Sequence, residues 1–169
     1  MPDDLPYPPE IVLRTTERYV GVARTITMDT FHELADRISE LFDWLAARGV
    51  AATGAPFFRL NVIDMARELR CETGIPIVDR DAVGAPPVFV GVLPAGRFVC
   101  YTHVGHVDEL VDVTASVLGW ADEQGLVWDK SATPDGDRWG CRLIVNLTDP
   151  DDEPDTSKWR TTLLFRLAD

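Results

Sequence analysis

The chain is poor in cysteine, in basic residues and in long apolar runs, and each shortage removes a class of function. Cys71, Cys100 and Cys141 are its three cysteines. The number is odd and no Cys-x-x-Cys pair occurs, so neither a disulfide framework nor a dithiol redox motif is expected; buried free thiols are. Lys and Arg total 16 against 28 Asp and Glu, a formal charge of −12. No basic run offers phosphates a local footprint, so no nucleic-acid partner is expected. No apolar run approaches about 18 residues, which leaves nothing to span a membrane. The opening segment MPDDLPYPPE has neither the basic nor the apolar region of a signal peptide, so a cytoplasmic location is expected.

Catalytic signatures are absent as well. There is no GxSxG, P-loop or GxGxxG. Cys100-x-x-His103-x-x-His106 has the ligand types for zinc, but residues three apart on a strand face opposite sides. No metal and no cofactor is therefore expected. A Cys–His nucleophilic pair needs an orienting third group, and none is visible. Asp149, Asp151, Asp152 and Glu153 lie in a proline-bounded stretch and read as a solvated loop. No catalytic residue is assigned.

What remains is a well-punctuated globular sequence. Four prolines within residues 1–9 mark an arm. Ile11–Leu13 and Tyr19–Met28 read as strand. Asp29 and Thr30 are placed to cap a helix that ends near Arg48, before Gly49. Phe57–Ile63 and Arg67–Glu72 read as strands, followed by a Gly/Pro loop over 74–87. Val88–Leu93 and Arg97–Val104 read as strands around a Pro94-Ala95-Gly96 turn. A second helix is predicted over Gly105–Gln124, ending before Gly125. Leu126–Asp137 reads as a polar connection. Arg138–Leu147 and Trp159–Leu167 then form strands on either side of the acidic loop.

The two halves resemble each other. Arg18-Tyr19-Val20 matches Arg97-Phe98-Val99. Glu33-Leu34-Ala35-Asp36 matches Glu109-Leu110-Val111-Asp112. Trp44 falls on Trp120 and Gly49 on Gly125 in one unbroken helical register. Chance likeness between amphipathic helices is the competing explanation, and the shared Trp and terminal Gly favour duplication. The prediction is an α+β fold built from a duplicated βαββ module. It has pseudo-twofold symmetry, an antiparallel sheet, two long helices and a central ligand groove. The arm is assigned to residues 1–10, and a single domain to 11–169 with repeats at about 11–87 and 88–169.

Helical phase gives the first candidates for the groove. Leu34, Ile38, Leu41 and Leu45 form the core stripe of the first helix, widened by Phe31 and Phe42. Trp44 sits about 80° to one side of Leu34, and Trp120 sits at the same offset from Leu110. Each Trp either completes the core or walls a cleft for a planar ligand. Asn61 and Asn146 are amides within apolar strands. Each either meets solvent or backbone, or orients a ligand on an otherwise apolar floor.

The segments Val92-Leu93-Pro94-Ala95-Gly96-Arg97-Phe98, Thr102-His103-Val104-Gly105 and Leu147-Thr148-Asp149-Pro150 resemble the GyrI-like small-molecule-binding domain. So do Trp159-Arg160-Thr161 and the Glu72-x-Gly74-x-Pro76 segment. The resemblance implies an effector-binding fold with a groove between its halves, of the kind found in multidrug-sensing transcription activators. It implies small lipophilic or aromatic, often cationic, ligands, and allows a protein partner as in the family's gyrase inhibitor. It also implies a pocket carboxylate in many members. Here that position is Ile144, with Asn146 where a Tyr is usual and Leu60 where an aromatic is usual. Ile144 cannot act as a base, so hydrolysis is disfavoured; Glu72 is the one other carboxylate considered. The ligand-binding set expected is Trp44 and Trp120 as walls, with Leu60, Asn61, Ile144 and Asn146 as floor. Tyr101 and Phe165 complete it. The alternative function is a protein-interaction module using the acidic loop Asp149–Asp155.

Overall fold

The computed structural model describes residues 5–169. Ten strands and two α-helices follow in the order β1 (Glu10–Arg14), β2 (Glu17–Ile26), α1 (His32–Arg48), β3 (Phe57–Ile63), β4 (Leu69–Ile77) and β5 (Phe89–Leu93). Then come β6 (Gly96–Val104), α2 (Leu110–Glu123), β7 (Lys130–Thr133), β8 (Gly136–Trp139), β9 (Arg142–Asn146) and β10 (Arg160–Arg166). The main sheet runs β1-β6-β10-β9-β3-β4-β2-β5, and the β7–β8 hairpin branches from β3. All strand pairs are antiparallel. β1 precedes β2 in the chain but pairs with β6, and β5 precedes β6 but pairs with β2.

Register sorts the side chains onto two faces, because directly opposed residues project to the same side. One row runs Tyr101–Leu163–Ile144–Phe58–Thr73–Val22 across six strands. Both helices cover this face. Leu41 and Leu45 of α1 pack on Val20, Val22, Ile75 and Ile77. Val117 and Ala121 of α2 pack on Val99, Tyr101, Leu163 and Phe165. The Thr73 hydroxyl donates to the Leu34 carbonyl at 2.8 Å, tying α1 to the sheet inside the core. On the opposite face Tyr19, Phe57, Phe98, Leu143 and Leu164 form one cluster that also takes in Val12 of β1 and Phe89 of β5. Those two strands are the opposite ends of the sheet, so the sheet curls around this face into a half-barrel.

Several expectations are corrected. β4 continues through Gly74–Ile77 rather than giving way to a loop. Pro76 is tolerated because it lies beyond the last β3 partner of β4, and its carbonyl accepts from Thr53 N at 2.9 Å. The connection over 126–137 contains β7 and the first half of β8. The strand expected over 138–147 is broken between Trp139 and Arg142. Asp29 and Thr30 do not cap α1, whose N-cap is Phe31 with no side-chain bond; the Thr30 hydroxyl accepts from Thr27 N instead. α2 starts at Leu110, after a 3-10 turn over Val107–Glu109 with a capping box at His106. Phe42 is 41% exposed and lies outside the stripe. Of the N-terminal arm, residues 1–4 fall outside the described part, while Tyr7 stacks on Tyr101 with ring centroids 4.7 Å apart.

Candidate functional site

The junction of β9 and β3 lies between the two helices on the helix-covered face. Ile144 and Phe58 oppose each other there. Ile144 is half-buried and packs against both the core under α2 and the core under α1. Leu60, two residues on from Phe58, is buried in the α1 core. One row further, Phe165 opposes Arg142. The Arg142 guanidinium lies 4.6 Å from the Phe165 ring centroid and 4.9 Å from that of Trp139. Among the described residues Arg142 has no ion-pair partner, and its Nε is buried without a hydrogen bond. Burial pulls its pKa down to about 10, against the opposing pull of Asp137. This apolar strip therefore holds a desolvated cation and no carboxylate partner for it.

The opposite face carries a polar network around Glu72. Arg59 and Glu72 are direct cross-strand neighbours. The Tyr19 hydroxyl donates to Glu72 Oε1, and Asn61 Nδ2 donates to Glu72 Oε2 at 2.6 Å. Arg59 donates to the Tyr19 oxygen at 3.1 Å and to the Gly140 carbonyl at 3.0 Å. Burial, then the Glu72 charge, pushes the Tyr19 phenol well above its ordinary pKa, so it stays a donor. Two glycines give the Tyr19 ring its bed. A Cβ on Gly74 would sit 2.5 Å from Phe57 Cζ and 2.9 Å from Tyr19 Cδ2, and one on Gly91 would sit 2.7 Å from Tyr19 Cζ. Asn61 is the extra residue of a β-bulge, where the pairing steps from Leu60↔Cys71 to Val62↔Arg70. The bulge turns its amide toward Glu72.

The structure does not gather the sequence-predicted residues into one cavity. Tyr101, Leu60, Ile144 and Phe165 share the helix-covered face. Asn146, on the same side as Ile144, donates from Nδ2 to the Pro56 carbonyl at 3.4 Å. Asn61 serves the network on the other face. Trp44 packs toward β5, against the cluster containing Val88 and Val90, with the Arg48 guanidinium 4.0 Å from its ring centroid. Trp120 packs on the α2 core. Sequence reasoning missed Phe58, Arg59 and Arg142. The signal for the last two was available: each is an arginine inside an apolar strand run, FFRLNVI and RLIVN, and a buried charge needs an explanation.

The GyrI-like small molecule binding domain matches residues 7–136. The chain belongs to this family. As a GyrI-like domain it is a small-molecule-binding module. No curated protein matches it. Among solved structures it is similar to the EcmrR C-terminal domain, with a TM-score of 0.75 and 15% identity over 97% of this chain and 99% of that one. In a complex of EcmrR with DNA the likeness has a TM-score of 0.74 at 15% identity, covering 94% of this chain but 56% of that chain. This chain thus spans about half of that EcmrR chain. A hydrolase from Listeria innocua is similar with a TM-score of 0.65 and 15% identity over 95% of this chain and 92% of that one. SAV2435 bound to tetraphenylphosphonium is similar with a TM-score of 0.55 and 9% identity over 96% of this chain and 94% of that one. These identities carry the fold. Among the described residues no helix is long and apolar enough to cross a membrane.

Proposed function

We propose that this GyrI-like protein binds lipophilic aromatic small molecules, without turning them over, on the strip between α1 and α2. Phe58, Leu60 and Ile144 form its floor, Tyr101 and Phe165 continue it under α2, and Asn146 borders it. Trp44 and Trp120 stand on the helices that flank it. The observation that carries the reading is Ile144: a half-buried apolar side chain in contact with the cores of both helices, opposite the half-buried Phe58. The mirror-like strand order on either side of the β9–β3 junction supports reading the chain as two copies of one module. The bound tetraphenylphosphonium in the distant SAV2435 supports an aromatic ligand class. The charge preference follows from this chain's own residues. Ile144 stands where the family resemblance implies a carboxylate, and the cation on the strip is Arg142. Neutral and anionic aromatics are favoured over cations.

Absence of turnover follows from how the carboxylate is held. Glu72 accepts from Tyr19 and Asn61 and lies on the face of the sheet opposite the strip, away from a ligand bound there. The biological role on this reading is sensing or sequestration of toxic compounds in the cytoplasm. Calorimetric titration with a panel of unrelated aromatics, with mass spectrometry of the recovered ligands, tests it. Saturable binding of several compounds returned unchanged is the expected result. No binding across the panel, or a mass change in the ligand, contradicts it. In the first case a protein partner at the exposed loop Asp149–Asp155 becomes the better reading.

A further inference from the structure

On the face opposite the helices lies a cleft of about 390 Å³ lined by Arg59, Asn61, Val62, Arg70, Glu72, Arg138 and Trp139. Its construction is visible in the register. Val62 pairs with Arg70 of β4 on one side and with Arg138 of β8 on the other. Arg70 and Arg138 therefore flank one residue, about 10 Å apart by strand spacing. Arg59 follows on the same face, with the Asn61 bulge between. Three guanidiniums thus meet in one cleft of a chain whose formal charge is −12.

The protein does not neutralise them all. Asp135 pairs with Arg70 at 3.2 Å. Glu72 offsets Arg59, but both of its oxygens are taken by Tyr19 and Asn61. The Nε of Arg59 is buried without a partner. The neighbouring Asp137 pairs with Lys130 at 3.6 Å, and exposed Arg138 has no ion-pair partner among the described residues. One positive charge is left over, and Asn61 retains its amide oxygen as an acceptor. Like charges gathered at the end of a sheet are destabilising unless an anion joins them.

We propose that this cleft is a second binding site, separate from the strip between the helices, and that it takes a small oxyanion, carboxylate or phosphate. The guanidinium forks of Arg138 and Arg70 match the planar or tetrahedral oxygens of such a group. Because the two sites lie on opposite faces of the sheet, the cleft does not depend on the reading of the strip.

The test is a titration of the full chain with benzoate, inorganic phosphate and benzylammonium at constant ionic strength, followed through the Nε–H resonance of Arg59. Burial protects that proton from exchange. A saturable shift with benzoate or phosphate is expected, and the tighter of the two identifies the oxyanion. Arg138→Gln, an exposed substitution, is expected to weaken it at least about tenfold. Arg80→Gln, on a surface loop elsewhere, is expected to leave it unchanged. A shift that never saturates, an equal response to benzylammonium, or full affinity in Arg138→Gln overturns the proposal.

Discussion

Tyr19 shows how much one hydroxyl holds in this fold. Its proton goes to Glu72 and its oxygen accepts from Arg59, so a carboxylate and a guanidinium share one buried phenol. Tyr19→Phe keeps the ring on its glycine bed and deletes only the link. Urea unfolding is expected to register a loss of about 1–3 kcal/mol, with an unchanged m-value. The sequence already marked Asn61 as an amide in need of partners, and Glu72 as part of a Glu-x-Gly-x-Pro segment. It could not pair them, because the bulge that turns Asn61 toward Glu72 is a property of strand register. Ile144 was legible as an apolar replacement. Arg142, one row away, was legible as a charge in an apolar run, but nothing local says that it ends between Trp139 and Phe165. Ile144→Glu would place a carboxylate in the strip. The variant is expected to bind tetraphenylphosphonium at least about tenfold more tightly than the parent, by calorimetry.

At the scale of elements, the helices were the most legible parts and the polar strands the least. The Leu34, Leu41 and Leu45 stripe and the terminal Gly49 locate α1 by periodicity and by backbone handedness. β7 and β8 escape because Lys130–Thr133 is exposed or half-buried throughout and lacks an apolar face to alternate with a polar one. Two glycines give predictions of opposite sign. Gly49 ends α1 at φ +66°, and its Cβ would touch nothing. Gly49→Ala is therefore expected to cost about 1 kcal/mol purely through the left-handed conformation. Gly119 sits within α2, also with open space at its Cβ. Gly119→Ala is expected to stabilise by about 0.5–1 kcal/mol, because it removes freedom from the unfolded chain only. Chemical denaturation of the two single variants checks both signs.

Across the whole molecule, the curl of one sheet produces two separate interiors. The helix-covered side was readable from amphipathic stripes. The helix-free side was not, because its cluster joins strands from opposite ends of the sheet. Both interiors hold protons that the unfolded chain gives up more readily. Burial raises the Cys71 thiol to about 12, the Cys141 thiol to about 11 and the Tyr101 phenol to about 12, and it raises Cys100 and Tyr19 as well. Above the ordinary thiol pKa of about 9 the unfolded state binds fewer protons than the folded one. The stability these groups contribute is full below that pH and declines as pH rises through their folded values. Arg142 acts in the opposite sense above about 10, but alone. Thermal melts are therefore expected to fall progressively between pH 9 and 12.

The central claim concerns a strip that binds aromatic molecules and prefers them neutral or negative. Tetraphenylborate and tetraphenylphosphonium have nearly the same shape and opposite charges, so their affinities isolate the charge preference from packing. The most direct measurement is the ratio of their dissociation constants for the unaltered protein, by calorimetry at physiological salt, where the −12 surface charge is largely screened. The account predicts saturable binding with tetraphenylborate the tighter of the two. Tighter binding of tetraphenylphosphonium, or no binding of either, would contradict it.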